Sequence, residues 1–131
     1  MTSLQKKWRI LVVDDEPDLC DLLSEEFEYQ NCLTFTAASG NEALGVFEAN
    51  EFDAVVSDIR MPNGNGLELL EKIKASQKSN TLVFLVTGFA DVSKEEAFAK
   101  GAVDLIGKPY DIIDLCAMIL GHLGTLSNNG R

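Results

Sequence analysis

A chain of 131 residues that is 46% hydrophobic and 24% charged has the size and balance of one well-cored globular domain and is short for two. Its formal net charge of −10 argues against binding to nucleic acid or an acidic membrane, which requires a basic face. No apolar run nears the ~20 residues of a membrane span, and the polar start Met1 to Lys7 leads into a strand rather than a signal-peptide core, so a cytoplasmic protein is expected.

Taken in chain order, the first element is the apolar run Ile10 to Val13, which ends in Asp14 and Asp15. Leu19, Leu22, Leu23 and Phe27 then recur at helical spacing behind Pro17, a residue favoured in a helix's first turn. Leu33, Phe35 and Ala37 alternate with threonines, which predicts an edge strand. Ser39 with Glu42 predicts a capping box opening the second helix. Ala54 to Val56 is another apolar run, closed by Asp58, and Leu67, Leu70 and Ile73 mark the third helix. Leu82 to Val86 ends in Thr87, and Ser93 with Glu96 predicts a second capping box. Val103 to Ile106 leads into Lys108 and Pro109. Asp111 then caps a last helix with Ile112, Leu115, Cys116, Ile119, Leu120 and Leu123 on one face.

Five strand–helix repeats of this kind predict an α/β fold, (βα)5 and doubly wound. The runs near residues 10, 55 and 84 are apolar on both faces, as central parallel strands covered by helices should be. Right-handed crossovers then favour a five-stranded parallel sheet in the order 2-1-3-4-5, with its topological switch between the strands ending at Asp14 and Asp58. Residues 8–123 form the expected domain, with an N-terminal extension over residues 1–7 and a frayed tail or severed linker from Gly124 to Arg131. Cys20, Cys32 and Cys116 are odd in number and widely spaced without a CxxC pair, which predicts reduced, mainly structural thiols.

In a parallel sheet the carboxyl ends of the strands share one edge, and there Asp14, Asp15, Asp58, Thr87 and Lys108 converge. Clustered carboxylates that stay ionised need a cation, and hard oxygen ligands with room for water and a phosphoryl group suit Mg²⁺. Asp58, alone at its strand end, is the best nucleophile. Lys108 supplies a fixed positive charge for a phosphoryl oxygen, and the Thr87 hydroxyl a hydrogen bond. Each residue alone has a duller reading. Asp14 and Asp15 can begin a helix, Asp58 can open the turn before Met61-Pro62-Asn63-Gly64, and a lone Lys-Pro says little. Their joint placement at four strand ends favours the site. His122 reads as a surface or helix-end residue and not a phosphoryl carrier or metal ligand, and Trp8 and Tyr110 as packing residues.

The stretches Val12-Val13-Asp14-Asp15-Glu16, Asp58-Ile59-Arg60-Met61-Pro62, Gly66-Leu67-Glu68-Leu69-Leu70, Thr87-Gly88, Gly101-Ala102 and Lys108-Pro109-Tyr110 resemble the receiver domains of bacterial two-component response regulators. The resemblance covers roughly residues 8 to 123 and implies the flavodoxin-like form of the fold. It implies that Asp58 accepts a phosphoryl group from a histidine kinase or phosphotransfer protein, and that Mg²⁺ is held by Asp15, Asp58 and the Arg60 backbone carbonyl, with Asp14 acting largely through water. Thr87 and Lys108 would hold the phosphoryl group, and the Lys108-Pro109 bond would be cis. Signalling would pass to a partner protein or output domain through residues 93–123, the face on which a phosphorylation-dependent homodimer would also form. Arg60 and Phe89 would flank the path of the water that hydrolyses the acyl phosphate.

Two features depart from the family's pattern. Leu105 stands where Tyr or Phe is common, and the segment from Thr87 to Gly101 is one residue shorter than usual. Two other functions fit parts of the pattern. An aspartyl-phosphate phosphatase of the haloacid-dehalogenase type also places Asp and Mg²⁺ at strand ends, but wants a second Asp where this chain has Arg60. An interaction module that is never phosphorylated usually lacks part of the acidic set, which is complete here.

Overall fold

The computed structural model describes residues 7–78, 80–88 and 92–129. Ten elements alternate along the chain: β1 (Arg9–Val13), α1 (Pro17–Tyr29), β2 (Leu33–Ala37), α2 (Gly40–Ala49), β3 (Ala54–Asp58), α3 (Gly66–Ala75), β4 (Leu82–Thr87), α4 (Lys94–Ala99), β5 (Asp104–Gly107) and α5 (Ile112–Asn129). All pairings are parallel and the sheet order is β2-β1-β3-β4-β5. This is the expected flavodoxin-like (βα)5 arrangement, with the strand order reversing between β1 and β3.

The period of two along each strand divides the core. Leu11, Val13, Val55, Val83 and Leu85 face one side, where they pack with Ala43 and Phe47 of α2, Leu69, Leu70 and Ile73 of α3, and Ala97 of α4. Ile10, Val12, Ala54, Val56, Phe84 and Val86 face the other, against Cys20, Leu23 and Phe27 of α1 and Leu115, Cys116, Ile119 and Leu123 of α5. Burying side chains of this size contributes about 1.5–3 kcal/mol each, which is why β1, β3 and β4 carry apolar residues on both faces. At the edge, Leu33 of β2 is exposed and the strand's threonines stay partly solvated. Cys20, Cys32 and Cys116 are free and buried in the α1–α5 layer. Burial first of all pushes the Cys20 thiol up to about 11 and the Cys116 thiol up to about 12, so both stay protonated and inert.

The helix starts follow the sequence with two amendments. Ser39 accepts from the Glu42 N–H at 3.1 Å, but the Glu42 carboxylate reaches back to the Ala38 N–H, so the box at α2 closes one residue early. The complete capping box belongs instead to α3. There Asn65 accepts from the Glu68 N–H at 2.9 Å and Glu68 accepts from the Asn65 N–H at 3.1 Å. Ser93 accepts from the Glu96 N–H, and Asp111 from the Asp114 N–H. The helix α5 continues to Asn129 through Gly124, where the sequence suggested a tail; glycine lowers helix propensity without breaking the ladder. Residues 1–6 of the expected N-terminal extension and the last two residues of the chain lie outside the described residues. No helix of the described residues is long and apolar enough to cross a membrane.

Asn65 satisfies one of the free N–H groups of α3 and receives one bond in return. Asn65→Ala is expected to lower stability by about 1 kcal/mol, seen as a reduced urea midpoint with an unchanged slope.

Candidate functional site

The site forms where β1, β3, β4 and β5 end. The Asp14 N–H continues the ladder to the Ala37 carbonyl at 3.1 Å, which fixes that residue just beyond β1. Asp14 Oδ1 then accepts from the Glu16 N–H at 2.9 Å. Such an Asx turn brings the chain sharply round into α1, with Pro17 in its first turn. Asp58 is the last residue of β3, paired with Val86, and the next N–H, of Ile59, bonds the Val86 carbonyl at 2.9 Å. The Lys108 N–H bonds the Thr87 carbonyl at 2.8 Å, so the β4–β5 ladder runs on to the lysine. The Lys108-Pro109 peptide is cis.

Lys108 Nζ lies 3.0 Å from Asp58 Oδ2, 3.1 Å from Glu16 Oε1 and 3.4 Å from Asp14 Oδ2. Asp14 and Asp58 are buried, whereas the Glu16 side chain is 66% exposed. An exposed pair of that kind contributes at most about 1 kcal/mol; the weight of the cluster rests on the two buried acids, which would be stranded without a cation. Burial foremost, with the charge of Asp58, raises the Asp14 carboxyl above its ordinary range, against the Glu16 N–H bond and Lys108. Burial works against the Lys108 ammonium, but hydrogen bonds to Asp58 and Glu16 and the charges of Asp58 and Asp14 outweigh it and hold the lysine above its ordinary range. Carboxylate oxygens of Asp14, Glu16 and Asp58 all lie within 4.8 Å of one another, as ligands of one metal ion would.

Of the residues singled out from the sequence, Asp14, Asp58 and Lys108 meet directly, and Thr87 is buried at the neighbouring strand end. Asp15 is exposed and stands outside the group of three carboxylates. Arg60 is exposed on the loop after β3, and Phe89 lies outside the described residues. Glu16 was given no role by the sequence reading. Its signal is the Asx turn that an aspartate favours, which carries the residue two positions on back toward Lys108. Two hollows open near these strand ends, one along the loop after β3 and one beside Lys108. One of about 580 Å³ is lined by Arg60, Met61, Pro62 and Asn65, and one of about 430 Å³ by Leu19, Lys108, Pro109 and Tyr110.

Residues 10–120 match the family described as response regulator receiver domain. The chain is 39% identical over 108 residues to the regulatory protein AtoC of Escherichia coli (strain K12), a match covering 82% of this chain and 23% of AtoC. It is 37% identical over 117 residues to the transcriptional regulatory protein YvrH of Bacillus subtilis (strain 168), covering 87% of this chain and 48% of YvrH. The matched part is thus less than half of either relative. Among solved structures, a CheY-like receiver domain protein from Methanospirillum hungatei JF-1 superimposes with a TM-score of 0.85 at 30% identity, covering 95% of this chain and 99% of the other. The response regulator protein TrrA of Thermotoga maritima, in complex with Mg(2+)-BeF, gives a TM-score of 0.76 at 32% identity over 87% of this chain and 97% of the other.

Because the folded state raises the Asp14 carboxyl, ionised Asp14 opposes folding at neutral pH, and that penalty fades as pH falls through its folded titration. Asp14→Asn is therefore expected to raise the melting temperature by a few degrees in EDTA at pH 7.5. The gain should shrink toward pH 4, as scanning calorimetry across that range would show.

Proposed function

Because the chain belongs to the response regulator receiver domain family, we propose that it is a phosphorylation-driven switch accepting a phosphoryl group on Asp58 from a histidine kinase or phosphotransfer protein. The family consists of signalling modules rather than enzymes that turn over an external substrate. That separates the chain from the haloacid-dehalogenase type of phosphatase. The observation that carries the proposal is the position of Lys108, 3.0 Å from Asp58 Oδ2 and shared with Asp14 and Glu16.

An Asp58 carboxylate oxygen attacks the phosphorus of a phosphohistidine in line with the P–N bond. The new O–P bond forms as the P–N bond breaks, and the electron pair leaves on the imidazole nitrogen. Lys108 exchanges its contact with Asp58 Oδ2 for a phosphoryl oxygen, and the Thr87 hydroxyl donates to another. Such catalysis is positioning and charge stabilisation, and both groups are set by the strand ends they occupy.

The donor set fits Mg²⁺. Three carboxylates converge, and a cation, the Lys108 ammonium, is already held among them. Asp14, Asp58 and the Arg60 backbone carbonyl would hold the ion together with Asp15, whose exposed side chain would have to turn in, while Glu16 stands at the rim. When bound it offsets the charge of the carboxylates and of the phosphoryl oxygens. The likeness to TrrA in complex with Mg(2+)-BeF supports this reading. Output passes through the face of α4, β5 and α5, residues 93–123, by way of a partner protein, a further domain or a second copy of the chain. Phe98 and Ile113, 48% and 62% exposed, give that face apolar surface for a partner to cover. With a net charge of −10, the receiver itself makes no nucleic-acid contact in this scheme.

Incubation with acetyl phosphate and Mg²⁺ should add one phosphoryl mass to the intact protein, and Asp58→Asn should acquire none. Equal labelling of that variant would overturn the assignment. Leu105 is 7% exposed and packs in the layer that holds Ala97 and Ala102. It is already inside, where the family's aromatic would have to turn in. Leu105→Ala should cost about 2–4 kcal/mol of stability yet keep the change in amide exchange that beryllofluoride induces over residues 87–100. Loss of that change in a folded variant would make the leucine the gate.

A further inference from the structure

The loop between β3 and α3 is fastened at its far end to the start of another helix. The Gly40 N–H donates to the Gly64 carbonyl at 2.8 Å, and the Asn41 N–H to the Asn63 carbonyl at 3.1 Å. These are first-turn N–H groups of α2, which have no acceptor within their own helix, and Ser39 satisfies the next one, of Glu42. Asn63 and Gly64 turn their carbonyls toward α2 by adopting φ of 62° and 102°, a region open to Gly and tolerated by Asn. The contact leaves no room for a side chain on either glycine. A Cβ on Gly40 would stand 2.6 Å from the Gly64 carbonyl oxygen, and one on Gly64 would stand 2.6 Å from Asn41 Oδ1.

The near end of the same loop is held as firmly. The Ile59 N–H bonds the Val86 carbonyl and the Gly66 N–H bonds the Ile59 carbonyl, both at 2.9 Å. A Cβ on Gly66 would overlap the Asp58 carbonyl oxygen. The chain from Asp58 to Asn65 is therefore pinned to β4 and α3 at one end and to α2 at the other, with Arg60 between.

We propose that the contact of Gly40 with Gly64 positions the loop after Asp58 and thereby sets the affinity of the acidic site for Mg²⁺, which makes Gly40 a positioning residue for phosphoryl transfer. This rests on the reading that the Arg60 backbone carbonyl is one of the ion's ligands. Displacing the loop moves that carbonyl relative to Asp58, whereas Asp14 and Glu16 are carried by the turn between β1 and α1. Groups bonded directly to a metal's ligands typically set its affinity by about 10–100-fold, and Gly40, one step further back through Gly64, belongs at the low end of that range.

Titration calorimetry of the full chain with MgCl₂ tests this. Gly40→Ala should bind Mg²⁺ about tenfold more weakly than the unaltered chain, and its phosphorylation by acetyl phosphate should return to the unaltered rate at saturating Mg²⁺. Two controls separate positioning from helix stability. Ser39→Ala removes the α2 cap without touching the loop, and Gly45→Ala fills open space on the same helix; both should keep the original affinity. Unchanged Mg²⁺ affinity in Gly40→Ala would overturn the proposal, as would a slowed rate that saturating Mg²⁺ does not restore. If Gly40→Ala does not fold, Asn63→Gly, which adds no atom and only loosens the loop, should weaken Mg²⁺ binding severalfold, and an unchanged affinity there would overturn the proposal equally. A chain that binds no Mg²⁺ before any substitution would instead remove the functional reading on which the proposal stands.

Discussion

Two buried carboxylates, Asp14 and Asp58, occupy neighbouring strand ends with a third, Glu16, at the opening, and the fold carries them because one ammonium group lies within 3.4 Å of all three. Unit charges 4 Å apart interact by about 4 kcal/mol at the effective dielectric near a protein surface. That is a large fraction of the 5–15 kcal/mol that holds a typical domain together. The arrangement is thus kept against the preference of the folded chain. Its standing demand for positive charge is what suits it to a divalent cation. The raised titration of Asp14 is the same conflict in another measure.

The cation has to come from far along the chain. Between Arg9 and Arg60 there is no lysine or arginine; Arg9 opens β1 at the end away from the site and bonds the Glu51 carbonyl, and Arg60 is exposed on the loop after β3. Lys108 reaches the acids only after the whole sheet has closed, through the Lys108 N–H bond to Thr87 and the pairing of Thr87 with Gly107. No local segment can therefore assemble the site. Its integrity depends on parallel pairings between distant parts of the sequence, which are slow to form and which only the packed helices on both faces maintain.

This dependence explains what was legible beforehand. The strands and their order could be read because burial on both faces leaves an unmistakable apolar run, and because crossover handedness admits few arrangements. Asp14, Asp58, Thr87 and Lys108 were legible for a related reason: each sits at the end of such a run, and the sheet decides where run ends go. Glu16 and Asp15 were not separable, since their difference lies in a single turn. The hydrogen bond from the Glu16 N–H to Asp14 sends Glu16 toward the lysine and leaves Asp15 exposed. The capping box at Asn65 was hidden in a stretch whose Pro, Asn and Gly residues already signalled a turn. The docking of Gly64 on Gly40 leaves no mark in periodicity at all, since it joins a loop to the start of α2 by backbone hydrogen bonds alone.

The same contacts indicate which part of the molecule is free to respond. The loop after β3 is fastened at both ends, β3 itself is buried throughout, and Leu105 of β5 is already packed inward. Across the sheet edge, α4 is six residues long and buries only Ala97. A helix that short is not stable by itself, and its tertiary anchor is small. A pull on Thr87 meets rigid neighbours on the β3 side and a lightly held element on the α4 side. Local opening is cheapest where buried contacts are fewest, so of the elements beside Thr87 it is α4, with Phe98 exposed on it, that resists displacement least.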